Sequence, residues 1–307
     1  MMMNYLELAS LGKNNWWRYL VSMLLIAVMW QVLGAVPLVV LVLLVTEDGN
    51  PDTNFYADTL RFEGIDPIIS YLAISFTFVC LLVSLFIAVR FIHDRSFKTL
   101  ITPFARINWQ HFFLGAGVFG GLLLGLLLIS FVAAPDSLSF SLDLKAFLIF
   151  LPLALIFTPL QACTEELLFR GYLMQALRLL MSNRWIIAII SAILFTLPHL
   201  ANPENNIDSW VMPLNYFTLG LFFSIITIRD NGLELAMGAH SANNLYAFLF
   251  VNYEGSVLES PSIFTESAPD PWMTLLAISI LCVLFYFIVF KLIGVGKSAD
   301  DQQPSVR

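Results

Sequence analysis

The stretch AFLIFLPLALIFTPLQACTEELLFR, residues 146–170, decides the fold class of this chain. A run of mostly apolar residues leads directly into two adjacent carboxylates, Glu165 and Glu166. A helix needs about 20 such residues to cross the hydrocarbon core of a bilayer. Because a charged group near the bilayer centre costs about 3 kcal/mol or more, two acids in this position predict a functional site. The alternative is a cytoplasmic helix end, where both charges are solvated.

The composition of the whole chain is typical of a membrane protein. Hydrophobic residues make up 59% of the 307 residues and charged residues 12%, and the mean hydropathy is +0.81. Soluble domains are roughly half apolar and about one-quarter charged. The sequence therefore predicts an all-α, polytopic transmembrane helical bundle that lies in a lipid bilayer. The net charge of -7 does not indicate a nucleic-acid partner, because the acidic residues are concentrated in loops.

Eight stretches are long and apolar enough to predict membrane spans. The fourth is longer than a bilayer requires, so its end is expected to leave the membrane. The N-terminal segment 1–18 contains charged and polar residues before any long apolar run, which does not indicate a cleavable signal peptide. The predicted spans are 19–46, 69–92, 111–134, 146–180, 185–201, 212–229, 234–252 and 272–294.

The distribution of lysine and arginine predicts the orientation of these spans. Thirteen of the 15 basic residues fall on one side of the predicted membrane, and Arg61 and Lys145 fall on the other. The positive-inside rule assigns the basic side to the cytoplasm, and both termini lie on that side. The acidic loops 47–68 and 252–271 are then outside, and the tail after Lys297 is expected to be disordered.

The third predicted span carries a glycine stripe, defined by Gly117, Gly121 and Gly125 at fourfold spacing. Small residues at this spacing allow two helices to approach closely. We therefore expect the glycine stripe to be a packing surface. No internal repeat is visible in the sequence, which argues against a transporter built from inverted repeats.

Helix geometry separates the roles of the two adjacent glutamates. Glu166 and Arg170 are four residues apart, so they share a helix face and can form an ion pair. Glu165 is rotated from Glu166 by about 100° around the helix axis and points elsewhere. We therefore expect Arg170 to hold Glu166, and we expect Glu165 to remain available for chemistry.

Two histidines and an asparagine in later spans are the other polar candidates. His199 follows Phe195 by four residues and His240 precedes Asn244 by four, so each pair shares a helix face. Counted from the interhelical turns, Glu165 and His199 lie at one level, with His240 nearby. The sequence therefore predicts a catalytic pocket among spans 4, 5 and 7, open toward the cytoplasmic half. The alternative is that each histidine is a hydrogen-bonded packing residue.

A carboxylate beside two imidazoles suits the activation of water, because a positioned carboxylate can accept a proton. An asparagine amide and a histidine N–H can stabilise the oxyanion that forms when water attacks a carbonyl. Glu165, His199 and His240 could alternatively bind zinc, although the HExxH pattern is absent. Pro198, directly before His199, either turns that side chain into the pocket or displaces it.

Three ordered motifs resemble those of the CPBP family (CaaX protease and bacteriocin-processing, or Abi). Eukaryotic members of that family are type II CaaX prenyl endopeptidases. The motifs are EExxxR at 165–170, FxxxH at 195–199 and HxxxN at 240–244. Each motif is short, but three in order within apolar segments are much more specific. The resemblance covers about residues 145–252.

This resemblance implies a role for each motif residue. Glu165 would be the base that activates water, and His199 would assist it. His240 and Asn244 would form the oxyanion site. A mechanism without metal or another cofactor is favoured, because Asn244 suits an oxyanion site better than a metal site. The remaining motif residues would support the pocket: Glu166, Arg170 and Phe195.

The predicted function is an intramembrane peptidase that cleaves a peptide or protein near the cytoplasmic membrane face. The resemblance extends its possible substrates to prenylated ones and indicates a multi-pass protein of the bacterial plasma membrane. One alternative is a non-catalytic membrane protein, such as a bacteriocin-immunity factor or a signalling scaffold. Another is a transporter or proton relay. The predicted organisation is a cytoplasmic segment 1–18, three spans in 19–144, a protease core 145–252, an outer loop and last span 253–295, and a disordered tail 296–307.

Overall fold

The computed structural model describes residues 3–57, 61–253, 256, 258–266 and 270–296. Eight long helices, α1 to α8 in chain order, make up most of this part of the chain. Several contain a turn of π-helix, but each is continuous. Their bounds are α1 Trp16–Glu47, α2 Pro67–Ile92, α3 Trp109–Ala133, α4 Leu144–Arg178, α5 Arg184–His199, α6 Val211–Asp230, α7 Glu234–Leu249 and α8 Pro271–Ile293.

Six of the described helices are long and apolar enough to cross a membrane: α1 to α4, α6 and α8. Helix α5 is apolar but shorter, and α7 has only 16 residues. The six long helices and the many apolar side chains on the outer surface are those of an integral membrane protein. All eight predicted segments are helical, but eight spans are not confirmed. The predicted segments 185–201 and 234–252 extend beyond the ends of α5 and α7, because apolar residues follow both helices.

Two small β-sheets occupy connections that were expected to be loops. Strands β1 Asn54–Tyr56 and β2 Arg61–Glu63 form an antiparallel pair. Strand β5 Phe264–Glu266 lies between β3 Leu138–Phe140, its antiparallel neighbour, and β4 Val251–Tyr253, its parallel neighbour. The prediction of a helical protein holds for most of the described chain, but not for these strands. Three residues are too few to produce a recognisable strand pattern in a sequence.

Helix α4 carries Glu165 and Glu166, and it changes from α-helical to π-helical geometry directly after them. The Asp143 side chain caps the helix by accepting hydrogen bonds from the backbone N–H groups of Lys145 and Ala146. The helix has 35 residues and is about 52 Å long at 1.5 Å per residue, which exceeds a hydrocarbon core of about 30 Å. A π-helical turn, Leu167–Leu173, begins directly after Glu166. Such turns inside α-helices are frequent at functional sites.

Helices α3 and α7 pack closely through two glycines that lie outside the glycine stripe. A Cβ atom on Gly115 would collide with the carbonyl oxygen of Leu235, and one on Gly238 would collide with the carbonyl oxygen of Phe112. A Cβ atom added to any member of the glycine stripe would meet no described atom within 4 Å. The prediction that the stripe is a packing surface is therefore wrong for contacts within the described chain. Periodicity alone did not show which glycines face a neighbouring helix.

One end of the bundle, the basic end, is tied together by side chains from distant parts of the chain. The Tyr5 hydroxyl donates to the Leu100 carbonyl at 2.5 Å, and the Tyr5 N–H donates to Asn231 Oδ1 at 2.7 Å. Arg178 forms an ion pair with Glu7 at 3.0 Å. The predicted cytoplasmic segment is thus folded against the helix ends. The basic end comprises the segment before α1 and the connections 93–108, 179–183 and 231–233.

The opposite end, the acidic end, holds both small sheets. Strands β3, β4 and β5 join two of its connections, and Arg61 reaches Glu259 at 3.4 Å. The side of the membrane that each end faces, and the predicted domain limits, stay predictions. The predicted disordered tail 296–307 lies outside the described residues except for Gly296. The acidic end comprises the connections 48–66, 134–143, 200–210 and 250–270.

Candidate active site

The predicted ion pair between Glu166 and Arg170 lies at the centre of the bundle. Both side chains are fully buried, and Arg170 Nη1 donates to Glu166 Oε1 at 2.8 Å. Arg170 Nη2 donates to the Gly220 carbonyl at 2.7 Å, and its Nε donates to Ser224 Oγ at 3.4 Å. The guanidinium also lies 4.6 Å from the centre of the Phe195 ring. A charge buried this deeply needs such a set of partners, so this ion pair is a supporting structure.

His240 connects the two glutamates. Its Nδ1 lies 2.8 Å from Glu166 Oε1, and its Nε2 lies 3.8 Å from Glu165 Oε2. The imidazole is stacked on the Phe223 ring with 4.8 Å between ring centres. Because a carboxylate only accepts hydrogen bonds, Nδ1 carries a proton and Nε2 is the nitrogen directed at Glu165. Glu166 therefore orients His240 as well as Arg170, a second role that the sequence analysis missed.

Glu165 is almost completely buried, with 4% of its surface exposed. Its Oε1 accepts a hydrogen bond of 3.4 Å from Gln161 Nε2, one helical turn earlier. The sequence analysis did not select Gln161, although residues four apart share a helix face. Glu165 thus has fewer direct partners than Glu166, as the rotation between the two residues predicted.

His199 is the last residue of α5, and its orientation is set within the helix. Its Nδ1 donates to the Phe195 carbonyl at 2.7 Å, which leaves Nε2 as the nitrogen available to a ligand. The ring lies against Tyr216, with 4.4 Å between ring centres. Glu165 and His240 are both within electrostatic range of His199. Helix α5 continues through Pro198 and ends one residue later, so the proline does not interrupt the helix before His199.

A cavity of about 230 Å³ adjoins these residues. Gln161, His199 and Asn244 bring α4, α5 and α7 to its wall. Glu165 and His240 are not among the lining residues and lie behind this wall. Asn244 Oδ1 accepts from Asn243 Nδ2 at 3.0 Å, and the amide N–H groups of Asn244 are the donors that an oxyanion would use.

The cavity lies toward the acidic end of the bundle. Its other lining residues come from the connection after α5, from the first half of α6, from the end of α7 and from the segment that follows α7. The sequence analysis expected an opening toward the cytoplasmic, basic half. The buried cluster of Glu166, Arg170 and three phenylalanine rings fills the space on the inner side of the histidines. The further lining residues are Asn202, Glu204, Tyr216, Ala247, Phe248, Val251, Asn252, Tyr253, Ser256 and Leu258.

Glu204 is a cavity residue that the sequence analysis missed. It lies on the short 3-10 turn Pro203–Asn206 and is 4% exposed. Its side chain hydrogen bonds with Tyr253, and burial followed by the negative charge of Glu204 raises the pKa of Tyr253. An acid within a polar connection gives no signal in the sequence, because most such acids are solvated.

A metal site requires several ligand side chains within reach of one ion. No group of three His, Cys, Asp or Glu side chains in the described part of the chain is close enough to hold a metal ion. In the zinc set named from the sequence, the hydrogen bonds of His240 and His199 at Nδ1 leave both Nε2 atoms free, but Glu165, His199 and His240 do not form such a group. This arrangement does not fit a zinc centre built from Glu165, His199 and His240.

The three motifs that meet here lie within the region that matches a known family. Residues 145–246 match the model of the Rce1-like type II CAAX prenyl endopeptidases, in the CPBP family. The chain belongs to this family. It is similar along almost its whole length to the uncharacterized protein YyaK of Bacillus subtilis (strain 168), with 33% identity over 297 residues. That alignment covers 96% of this chain and 97% of YyaK, and no solved structure matches the chain.

Membership in the Rce1-like family makes a CAAX-protease-like function the expected one. The family match begins at the start of α4 and ends within α7, so it contains all three motifs. The similarity to YyaK extends further, into the first three helices and α8. The sequence similarity to YyaK is therefore not confined to the region that matches the family model.

Proposed function

We propose that this Rce1-like protein is an intramembrane endopeptidase in which Glu165 activates water to hydrolyse a peptide bond. One observation supports this proposal above all others. His240 touches Glu166 and faces Glu165, while His199 and Asn244 line the adjacent cavity. His199 and Asn244 thus lie on the cavity wall, with Glu165 and His240 directly behind it, and three different helices bring these groups together.

The proposed reaction begins with a water molecule between Glu165 and His199. Glu165 accepts one proton while the water oxygen attacks the carbonyl carbon, and His199 Nε2 accepts a hydrogen bond from the other proton. The carbonyl oxygen becomes an oxyanion that Asn244 and His240 stabilise by donating hydrogen bonds. For this role His240 donates from Nε2, while its Nδ1 remains bonded to Glu166. The tetrahedral intermediate then releases an amine, which takes the proton held by Glu165.

The proposed mechanism uses no metal or other cofactor. The support is that no three His, Cys, Asp or Glu side chains among the described residues lie close enough to share a metal ion. Elemental analysis of the purified protein and activity after chelation test this part independently. Stoichiometric zinc, with activity lost on chelation and restored by zinc, would replace the proposal with a zinc mechanism.

The membrane face at which cleavage occurs is a separate part of the proposal. The sequence analysis predicted the cytoplasmic face. The cavity lies toward the acidic end, and the positive-inside rule assigns that end to the non-cytoplasmic side. This position supports cleavage nearer the non-cytoplasmic face. Oriented proteoliposomes with peptide added to one side at a time distinguish the two faces.

The proposed substrate is a peptide or protein, and the family description makes a prenylated cysteine peptide the first one to test. Purified protein in liposomes is incubated with matched prenylated and unprenylated peptides, and products are identified by mass spectrometry. A Glu165→Gln variant is expected to lose cleavage. A matched Glu63→Gln variant, altered on the exposed strand β2, is expected to retain it. If both variants cleave like the unaltered protein, Glu165 is not the base and a non-catalytic role is favoured.

A further inference from the structure

Glu204 gives the candidate site a feature that the three motifs do not contain. Its carboxyl group belongs to the wall of the same cavity as His199 and Asn244. It is 4% exposed, and its hydrogen bond with Tyr253 holds it in position. A buried carboxylate in a ligand cavity favours a hydrogen-bond donor or a positive charge in that cavity.

The other residues that line the cavity do not offset the negative charge of Glu204. Among the described residues that line the cavity, none is a lysine or an arginine. Apart from His199 and Glu204, the polar side chains that line the cavity end in amide or hydroxyl groups. Tyr216 and Tyr253 also supply aromatic rings, which attract ammonium and guanidinium groups. The cavity wall therefore suits a cation and is unfavourable for a second carboxylate.

The end of the bundle that holds the cavity also carries an excess of negative charge. The sequence places 14 acidic residues in the acidic end and at its borders, compared with only Arg61 and Lys145 as basic residues. Arg61 is already paired with Glu259. The excess of negative charge at this end of the bundle raises the local concentration of cationic ligands and repels anionic ones. The acidic residues are Glu47, Asp48, Asp52, Asp58, Glu63, Asp66, Asp136, Asp143, Glu204, Asp208, Glu254, Glu259, Glu266 and Asp270.

We propose that Glu204 determines the specificity of this site by selecting peptides with a lysine or arginine side chain beside the bond to be cut. The inference rests on the proposed peptidase function and adds the substrate class to it. The peptide cation donates to Glu204 at one part of the cavity while the carbonyl group lies near His199 and Asn244. A peptide that presents a carboxylate at the same position is repelled.

The test uses three otherwise identical peptides with Lys, Gln or Glu beside the scissile bond. Cleavage by the full-length protein in liposomes is measured as kcat/KM. Binding of the same peptides is measured with the Glu165→Gln variant, which separates recognition from turnover. We expect the Lys peptide to exceed the Glu peptide by about tenfold or more, the size of a hydrogen bond to a charged group. Glu204→Gln is expected to reduce this ratio to about twofold, whereas Glu7→Gln, at the opposite, basic end of the bundle, is expected to preserve it.

The outcomes separate this inference from the proposed function. Cleavage with equal rates for the three peptides overturns the specificity role and leaves the peptidase function intact. Binding that favours the Lys peptide without any cleavage supports the cationic ligand and contradicts the peptidase. A ratio that stays high in Glu204→Gln assigns selectivity to another residue and overturns the proposal. Since the peptide comparison uses the unaltered protein, it remains decisive even if the Glu204 variant does not fold.

Discussion

The buried cluster around Arg170 and the wall of the cavity use similar polar residues for different purposes. Arg170 and Glu166 are fully buried and have several short contacts with each other, with backbone and with His240. Glu165 lies one residue away and has a single hydrogen bond of 3.4 Å with Gln161. Satisfied charges stabilise a structure, whereas a carboxylate with few partners is free to exchange a proton. This difference supports the proposal that Glu166 stabilises the structure while Glu165 takes part in the chemistry.

The largest expected effect is on the stability of the buried cluster. Arg170→Met removes a fully buried cation and leaves the charge of Glu166 without its main partner. We expect the free energy of unfolding to fall by about 3–5 kcal/mol, the usual consequence of breaking a buried ion pair. Denaturant unfolding of the protein in detergent micelles measures the change.

The matched control for this variant is Arg178→Met, because Arg178 pairs with Glu7 near the surface. An exposed pair contributes about 0–1 kcal/mol, so this variant should remain close to the unaltered protein. Equal losses of stability in the two arginine variants would show that the buried cluster has no special structural role.

The next largest effect is expected at Glu165, on activity and not on stability. Glu165→Gln retains the volume and the contact with Gln161 but removes the proton acceptor. We expect kcat to fall by about a thousandfold, within the range for loss of a general base. The unfolding midpoint should change little. A large loss of stability with little loss of kcat would reverse the assignment of the two glutamates.

Asn244 tests the oxyanion site on the cavity wall. Asn244→Ala removes the amide donors from a residue that lines the cavity. We expect kcat to fall by about a hundredfold, as is typical for loss of one oxyanion donor, with KM nearly unchanged. Steady-state kinetics with a series of peptide concentrations measures both constants. A raised KM with unchanged kcat would instead place Asn244 in substrate binding.

Substitution of Gln161 should have a smaller effect than the substitutions of Arg170, Glu165 and Asn244. Gln161 lines the cavity, and its side chain makes a long hydrogen bond to Glu165 that contributes about 1 kcal/mol or less. Gln161→Ala should therefore lower kcat by about fivefold and leave unfolding almost unaffected. A loss as large as that in Glu165→Gln would show that the amide takes part directly in the reaction.

Local patterns in the sequence were sufficient for the helices and for one contact of the site. Stretches rich in apolar residues located all eight helices, since each helix has 16 residues or more. The four-residue spacing of Glu166 and Arg170 predicted their ion pair, because helix geometry alone brings such residues together. The predicted ends of α5 and α7 lay beyond the observed ends, because apolar residues continue after the last helical turn.

Contacts between distant residues could not be predicted in this way. The hydrogen bond between Glu166 and His240 joins residues that are 74 positions apart. The use of Gly115 and Gly238, instead of the glycine stripe, depends on the rotation of α3 about its axis. Neither the rotation of a helix nor its neighbours follows from hydrophobic periodicity in a chain that is apolar on nearly all faces.

The sequence by itself determined a helical membrane protein, three short motifs and the different faces of Glu165 and Glu166. These properties depend on composition and on the geometry of a single helix. Only the tertiary structure decided that His240 is held between both glutamates, that the cavity lies toward the acidic end, and that Glu204 belongs to its wall. The physical reason is that those features depend on how separate helices and connections pack against one another, which local residue patterns do not specify.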